Sequence, residues 1–382
     1  MNRELREDKK GFIMKRVLVT GSNGFIGKNL CAVLRQCEDV DLYEYDVHSK
    51  PEDLDVSLGK IDCIIHLAGV NRSKNQDEFE IGNVGSIDEI CTKLKAIGRA
   101  PKIVLSSSIQ ADLDTPYGVS KRRAEKVLEG FAEDAGAECV VYRFTNLFGK
   151  WCKPNYNSVT ATFCYNIAND LPIQISDPSN EIELTHIDDV VKAFIAELNS
   201  SLSGFRFARS LESVRISLGE LAEKIQFFKK MPTSFRLPVL DNSFYRSLYG
   251  TYLSYLDIQD FEYGLKKRSD HRGSLAEFLK SSFMGQIFVS RTKPGITRGD
   301  HYHHTKTEKF LVLQGTAIIR FRHIEDNQIM EYKVQGEDYR VLDIPPGYTH
   351  SIENIGTDVL VTLFWASEIF DSDKPDTYYE KV

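Results

Sequence analysis

The sequence predicts an α/β doubly wound parallel sheet followed by an all-β domain of the jelly-roll or barrel kind. Three observations predict it. Up to about Gly204, short and continuously apolar runs alternate with longer amphipathic stretches, the rhythm of strands covered on both faces and joined by crossover helices. A glycine-rich turn separates the first apolar run from the first helical pattern. Beyond about Gly264 the rhythm changes to strand-like pieces of five to seven residues, divided by Gly, Pro and Asp-Asn turns.

In the first part the strand candidates are Val17-Leu18-Val19, Asp41 to Tyr45, Cys63 to Leu67, Ile103 to Leu105 and Cys139 to Tyr142. Helices are expected from Asp188 to Leu198 and from Ser217 to Phe228, the second with Ser217 as its N-cap. Residues 231–263 carry no clear pattern. The passage Leu265 to Asp270 reads as a boundary, which divides the chain into domains 15–264 and 265–382. In the second domain strands are expected at Gln286 to Arg291, Lys309 to Leu313, Thr316 to Arg322, Tyr339 to Ile344 and Val359 to Trp365.

Composition narrows the function classes. With 42% hydrophobic and 27% charged residues, 22 Phe and 17 Tyr, the chain buries real cores and is not a disordered segment. A net charge of −7, from 48 basic and 55 acidic side chains, speaks against nucleic acid as the main partner. No apolar run is long enough for a membrane span, and the charged first sixteen residues lack a signal-peptide block, so a cytoplasmic protein is expected. The seven cysteines, without a CxxC pair, fit that compartment. Histidine is concentrated elsewhere: His301, His303, His304, His323 and His350 are five of the nine.

Two constellations carry chemistry. After the first strand stands Thr20-Gly21-Ser22-Asn23-Gly24-Phe25-Ile26-Gly27. Its glycines permit a sharp turn, the approach of a pyrophosphate and close packing of the next helix, whose N-terminal amides favour an anion. Asp46, at the end of the second strand, stands where an acid binds the adenosine ribose; His48 and Lys50 stand where a 2′-phosphate would be met, which leaves NADPH and NADH both open. Further on, Ser106-Ser107-Ser108 follows a strand and precedes Tyr117-Gly118-Val119-Ser120-Lys121. Tyr and Lys four apart share a helix face, so the ammonium can lower the phenol's pKa while a serine hydroxyl steadies a substrate oxygen.

The second constellation is His301-x-His303, Glu308 and, beyond Pro345-x-Gly347, His350. Histidines at i and i+2 on a strand face one way, and a glutamate on the next strand completes a set of N and O ligands for a divalent metal, which zinc, Mn, Fe and Ni suit alike; zinc is the expected occupant.

On these motifs residues 15 to about 230 resemble the extended short-chain dehydrogenase/reductases that act on nucleotide sugars. The resemblance implies a Rossmann-type fold, Gly21 to Gly27 with Leu67, Ala68 and Gly69 around the cofactor, and Tyr117 and Lys121 as catalytic residues. It makes Ser108, with Ser107 as the alternative, the third catalytic residue. It also implies substrate contacts from Asn146, in Arg143-Phe144-Thr145-Asn146, and from His186, in Thr185-His186-Ile187-Asp188. One departure is the short interval between Ser108 and Tyr117.

The histidine pattern resembles a cupin. The same stretch is also similar to sugar-nucleotide 3,5-epimerase cupins, which implies a substrate role for Arg298, near Asp270-His271-Arg272-Gly273, and a proton-relay position for Lys309. In those relatives a histidine is the base and no metal is needed. Together the halves resemble the capsular polysaccharide enzymes that fuse them. That resemblance implies C3 epimerisation in the cupin and NADPH-dependent C4 reduction of a UDP-activated 4-keto-6-deoxy amino sugar, giving UDP-2-acetamido-2,6-dideoxy-L-talose, in a homodimer. The alternatives are a 4-keto-sugar reductase, for instance of the dTDP-4-dehydrorhamnose type, whose cupin only dimerises or binds sugar, and a non-catalytic NADP sensor.

Overall fold

In the computed structural model, which describes residues 14–73 and 75–382, the expected parallel sheet is present. The charged stretch 1–13 that bore on the signal-peptide reading lies outside the described residues. The chain forms two compact units, one of residues 14–225 and 242–256, the other of 226–241 and 257–382.

The first unit runs β1 (Lys15–Thr20), α1 (Phe25–Leu34), β2 (Val40–Tyr45), α2 (Pro51–Leu58), β3 (Cys63–His66), α3 (Gln76–Phe79), α4 (Ser86–Ala96), β4 (Lys102–Ser108), α5 (Pro116–Ala135) and β5 (Cys139–Phe144). It continues with β6 (Asn146–Phe148), α6 (Val159–Ala168), β7 (Glu181–His186), α7 (Ile187–Leu198), β8 (Phe205–Phe207), β9 (Val214–Ser217), α8 (Leu218–Ser234), whose residues from 226 on belong to the second unit, and α9 (Ser243–Leu253). The main sheet has the order β2-β1-β3-β4-β5-β8 and every pairing in it is parallel. Its continuous apolar runs follow from burial on both faces. Leu18, Ile64, Ile103 and Val141 enter the core beneath α2, α4 and α5, whereas Val17, Val19, Ile65, Val104 and Val140 enter the one beneath α1 and α7. A second small sheet, β6-β7-β9, carries the segments that contain Asn146 and His186.

The second unit holds β10 (Lys267–Asp270), β11 (Gly273–Ser281), β12 (Gly285–Thr292), β13 (Thr297–Tyr302), β14 (Glu308–Gln314) and β15 (Thr316–His323). Then follow β16 (Ile329–Gln335), β17 (Val341–Ile344), β18 (Tyr348–Asn354), β19 (Leu360–Ala366) and β20 (Tyr378–Tyr379). They form two antiparallel sheets, β10-β11-β12-β19-β14-β17 and β16-β15-β18-β13-β20. Phe310, Val312 and Phe364 of the first sheet share one core with Ile319, Phe321 and Ile352 of the second, as in a jelly roll.

Two expectations need correction. The boundary passage holds the first strand of the second unit, Lys267–Asp270, paired with β11. Residues 226–241 and 257–264 belong with the second unit, where Leu237 N–H donates to the Lys280 carbonyl at 2.8 Å and Lys280 N–H to that of Phe235 at 2.7 Å. Tyr339 does not open a strand; it sits in the left-handed region, φ 47, after a single 3₁₀ turn, and β17 starts at Val341. The patternless region contains α9, whose aromatic-rich sequence with Gly250 hides its period. Among the described residues no helix is long and apolar enough to cross a membrane.

Candidate active site and metal centre

The glycine loop is built as the sequence requires. Gly21 has φ +68, and a Cβ at Gly27 would stand 2.2 Å from the Gly21 carbonyl oxygen, so both positions exclude a side chain. Helix α1 begins without a side-chain cap and without an acidic residue in its first turn, which leaves its amides for an anion. Asp46 closes this end of β2: its carboxylate accepts from Asn23 N–H and from Val47 N–H, each at 2.8 Å. His48 and Lys50 follow it and are exposed.

The catalytic candidates are placed by the start of α5. Thr115 caps the helix by accepting from Gly118 N–H at 3.1 Å, and Pro116 fills the first turn, so Tyr117 and Lys121 lie one turn apart on one face. The short connection from Ser108 is taken up by a 3₁₀ turn, Ile109–Asp112, capped by Ser108 itself, whose Oγ accepts from Gln110 N–H at 3.2 Å. Glycine at position 118 is what allows the turn to pack on the helix, because a Cβ there would lie 2.2 Å from the Gln110 carbonyl oxygen.

This geometry separates the two serines. Ser107 donates to the buried carboxylate of Glu125 at 2.5 Å, and Arg143 binds the same carboxylate at 2.9 and 2.6 Å. Ser108 instead acts on the Tyr117 hydroxyl: burial pushes the phenol up and Ser108 pulls it back down. The Lys121 ammonium stands 5.9 Å from the centre of the phenol ring, so in the protein alone Ser108, not Lys121, is the group that lowers it. Lys121 is itself pushed down to about 8 by burial, against the pull of Glu125, and donates to the Ser106 carbonyl at 3.2 Å.

A cleft of about 940 Å³ joins the loop to these groups. It is lined by Gly21, Asn23 to Gly27, Leu67, Gly69, Ser107, Ser108, Tyr117, Lys121 and Asn146 among the anticipated residues. Ser22 is buried beside the loop, while Asp46, His48 and Ala68 lie outside the lining. His186 is not part of it either: its ring packs on Phe148 at 5.0 Å, and its backbone opens α7. Asn83 was not anticipated. It lies in a π-helical turn, Glu80–Gly85, and its amide donates to Ser120 Oγ and the Val70 carbonyl and accepts from Val70 N–H, each at 2.9 Å, which fixes the cleft wall behind Lys121. The loop carrying Cys152, Lys153 and Tyr156 also lines the cleft, with Cys152 held through its carbonyl by the Tyr255 hydroxyl at 2.6 Å. No spacing pattern signalled either.

In the second unit His301, His303, Glu308 and His350 converge, with one ligand atom of each within 4.8 Å of the others. His301 pairs across the ladder with His350, after a bulge at Asp300. Nε2 of His303 and Nε2 of His350 each lie 3.5 Å from Glu308 Oε2, and both nitrogens are buried without a hydrogen-bond partner. Their Nδ1 atoms meet backbone carbonyls, of Asp376 and Tyr348 respectively; a carbonyl only accepts, so Nδ1 carries the proton and Nε2 points a bare lone pair at a carboxylate. Such an arrangement is repulsive unless a cation sits within it, and the donor set fits a divalent metal. Burial pushes Glu308 up; only positive charge at His303 and His350, which a bound cation would equally supply, holds it well below the usual carboxylate range. His301 is pushed down to about 4 by burial and by the other two rings.

Arg298, opposite Ile352 on the inner face, donates to Thr292 Oγ1 at 3.0 Å and stands 3.9 Å from Asp270, which Arg272 also binds. Lys309 needs correction. It follows Glu308 on β14 and therefore points to the opposite face, where it is exposed and paired with Asp343. It cannot relay a proton at the histidine cluster.

Comparison with known proteins agrees with this division. The model described as NAD dependent epimerase/dehydratase family matches residues 17–205, and the Polysaccharide biosynthesis C-terminal domain matches 268–378. UDP-2-acetamido-2,6-beta-L-arabino-hexul-4-ose reductase of Pseudomonas aeruginosa is 43% identical over 363 residues, which cover 95% of this chain and 98% of that protein. The crystal structure of capsular polysaccharide assembling protein CapF from Staphylococcus aureus aligns with TM-score 0.88 and 46% identity over 96% of this chain and 100% of that one. A UDP-glucuronic acid 4-epimerase from Bacillus cereus in complex with NAD, 17% identical with TM-score 0.53 over 65% of this chain and all of its own, shares the fold alone. The chain thus belongs to the family of capsular polysaccharide enzymes in which an NAD-dependent epimerase/dehydratase domain precedes a polysaccharide biosynthesis C-terminal domain.

Proposed function

We propose that this chain inverts C3 of a UDP-2-acetamido-2,6-dideoxy-4-keto-hexose in its C-terminal unit and reduces C4 in its N-terminal unit. The product is UDP-2-acetamido-2,6-dideoxy-L-talose, for capsular polysaccharide. The observation that carries the reading is one cleft lined by both the glycine loop and the Ser108, Tyr117 and Lys121 side chains.

Held by the loop Gly21 to Gly27, NADPH would supply the hydride that C4 receives. Tyr117 Oη donates its proton to the former carbonyl oxygen, and Ser108 holds that oxygen beside it. Lys121, behind Tyr117, is positioned to hold the cofactor ribose, and its charge favours the phenolate left after proton transfer. Asn146, at the cleft wall, contacts the sugar. NADPH is preferred over NADH because the Asp46 carboxylate already serves two amides, while exposed His48 and Lys50 beside it suit a 2′-phosphate.

A C4 ketone acidifies the hydrogen on C3, and reduction of C4 removes that acidity, which is the chemical reason for joining the two activities. His301, His303, Glu308 and His350 would hold zinc, which supplies positive charge for the carbanion oxygen. Arg298, on the same inner face as His301, is placed to bind an anionic part of the substrate.

One observation favours a second reading, in which the C-terminal unit binds sugar without catalysing: Lys309 points away from the cluster. Deuterium exchange separates the two. With UDP-2-acetamido-2,6-dideoxy-4-keto-hexose in deuterated buffer without NADPH, the first reading expects label at C3 that Glu308→Gln abolishes. Label that survives this substitution undiminished would sink it.

A further inference from the structure

The last strand, β20, is two residues long and lies at the edge of its sheet, with Tyr379 opposite His301 and Tyr378 opposite Tyr302. So short a ladder holds little by itself. At its start this tail is fastened by one carboxylate. Asp376 Oδ2 accepts from Thr305 N–H at 2.9 Å, Lys306 N–H at 2.8 Å and Thr305 Oγ1 at 2.9 Å, and Oδ1 accepts from His304 N–H at 2.9 Å. Lys306 Nζ adds a bond to Thr377 Oγ1 at 3.1 Å. Farther along, Glu380 N–H donates to the Asp300 carbonyl at 2.9 Å and its carboxylate pairs with Arg322 at 2.6 Å.

The backbone amides gathered by Asp376 are those of the three residues that follow His303. The same residue's carbonyl accepts from His303 Nδ1, 73 positions away in sequence. One residue thus grips the loop beyond the histidine with its side chain and the imidazole with its backbone. His303 is 1% exposed, so its ring has no water to choose a tautomer for it. With Nδ1–H committed to a carbonyl, Nε2 is left as the ligand atom, aimed at Glu308. Nothing in the His301, His303, Glu308 and His350 pattern calls for a tail at this place.

We propose that residues 376–380 form a positioning strap for the metal centre, in which Asp376 anchors the loop 303–306 and its carbonyl fixes His303 with Nε2 toward the cation. The inference rests on the metal reading above and adds a positioning residue to it. An edge strand also needs covering, so a strap that only protects the sheet is the competing account.

The test uses the full chain, stripped of metal and titrated with zinc against a competing chelator. Asp376→Ala is expected to weaken zinc binding by roughly 10- to 100-fold, the usual cost of losing a partner that orients a ligand. Asp376→Asn, which keeps one acceptor oxygen, is expected to recover part of the loss. Nitrogen-15 spectra of the metal-free protein give a second readout: His303 is expected as the Nδ1–H form in the wild type and as a tautomer mixture in Asp376→Ala. Should that variant not fold, a chain ending at Pro375 serves in its place, with the same expectation. Zinc affinity within about twofold of the wild type, with an unchanged His303 signal, overturns the strap. A wild-type chain that takes up no zinc overturns the metal reading instead, so the two failures are distinguishable.

Discussion

Lys121→Met is expected to stabilise the cofactor-free protein while abolishing its reductase activity. The magnitude follows from burial. The ammonium is pushed from 10.5 down to about 8, which at about 1.4 kcal/mol per unit corresponds to about 3 kcal/mol against the folded state near neutrality. Methionine fills the same space without charge but leaves the Ser106 carbonyl without its donor, a cost of roughly 1–2 kcal/mol. The net expectation is a gain of about 1–2 kcal/mol at about pH 7. Its pH dependence has a definite sign. Below about 8 the lysine is protonated in both states and the full penalty stands. Between about 8 and 10.5 the unfolded chain keeps a proton that the folded chain has released, so wild-type stability rises with pH and the variant's advantage fades. Denaturant unfolding of the first unit, measured at about pH 7 and about pH 10, reads both effects. A variant less stable than the wild type at the lower pH, or an advantage that does not shrink at the higher one, would refute the view of Lys121 as a desolvated charge kept for chemistry.

Ser108→Ala is expected to lower turnover of C4 reduction by roughly 10²-fold, because the donor beside the reacting oxygen is lost. Ser107→Ala is expected to leave turnover within a few-fold but to cost about 1 kcal/mol in denaturant unfolding, since Glu125 loses a buried partner; the reverse order of effects would exchange the roles of the two serines. Gly118→Ala drives a methyl toward the Gln110 carbonyl and is expected to destabilise by about 1–3 kcal/mol, with turnover falling as Tyr117 shifts from Ser108. Unfolding and steady-state kinetics check both parts. Stripping the metal is expected to stop deuterium exchange at C3 yet to leave the reduction of an already epimerised 4-keto sugar intact. Equal loss of both activities would speak against two separate sites.

Much of this molecule is legible because its signals are local. The parallel strands announce themselves since each sends alternate residues into different cores, as Leu18 does against Val17 and Val19. The glycine loop and the Tyr117 and Lys121 pair are each set by a few adjacent positions and the geometry of one turn, and the spacing of His301, His303, Glu308 and His350 marks them as a set. Lys309 went wrong despite a local rule: with Glu308 turned inward, strand alternation already sends its neighbour outward. His186 carries a family motif, but its ring is taken by Phe148. Other features have no local signal. The choice between Ser107 and Ser108 is made by Glu125, which binds Ser107 from α5 and is itself held by Arg143 of β5. Asn83 acts through a π turn that no spacing announces, and Asp376 reaches His303 from the far end of the chain.

The central claim is that the phenol of Tyr117, in the cleft of the glycine loop, protonates a sugar ketone. Its most direct measurement is single-turnover oxidation of bound NADPH by the UDP-linked 4-keto sugar in Tyr117→Phe. The account predicts a rate lower by roughly 10²- to 10⁴-fold with NADPH affinity little changed. Oxidation at the wild-type rate would contradict it.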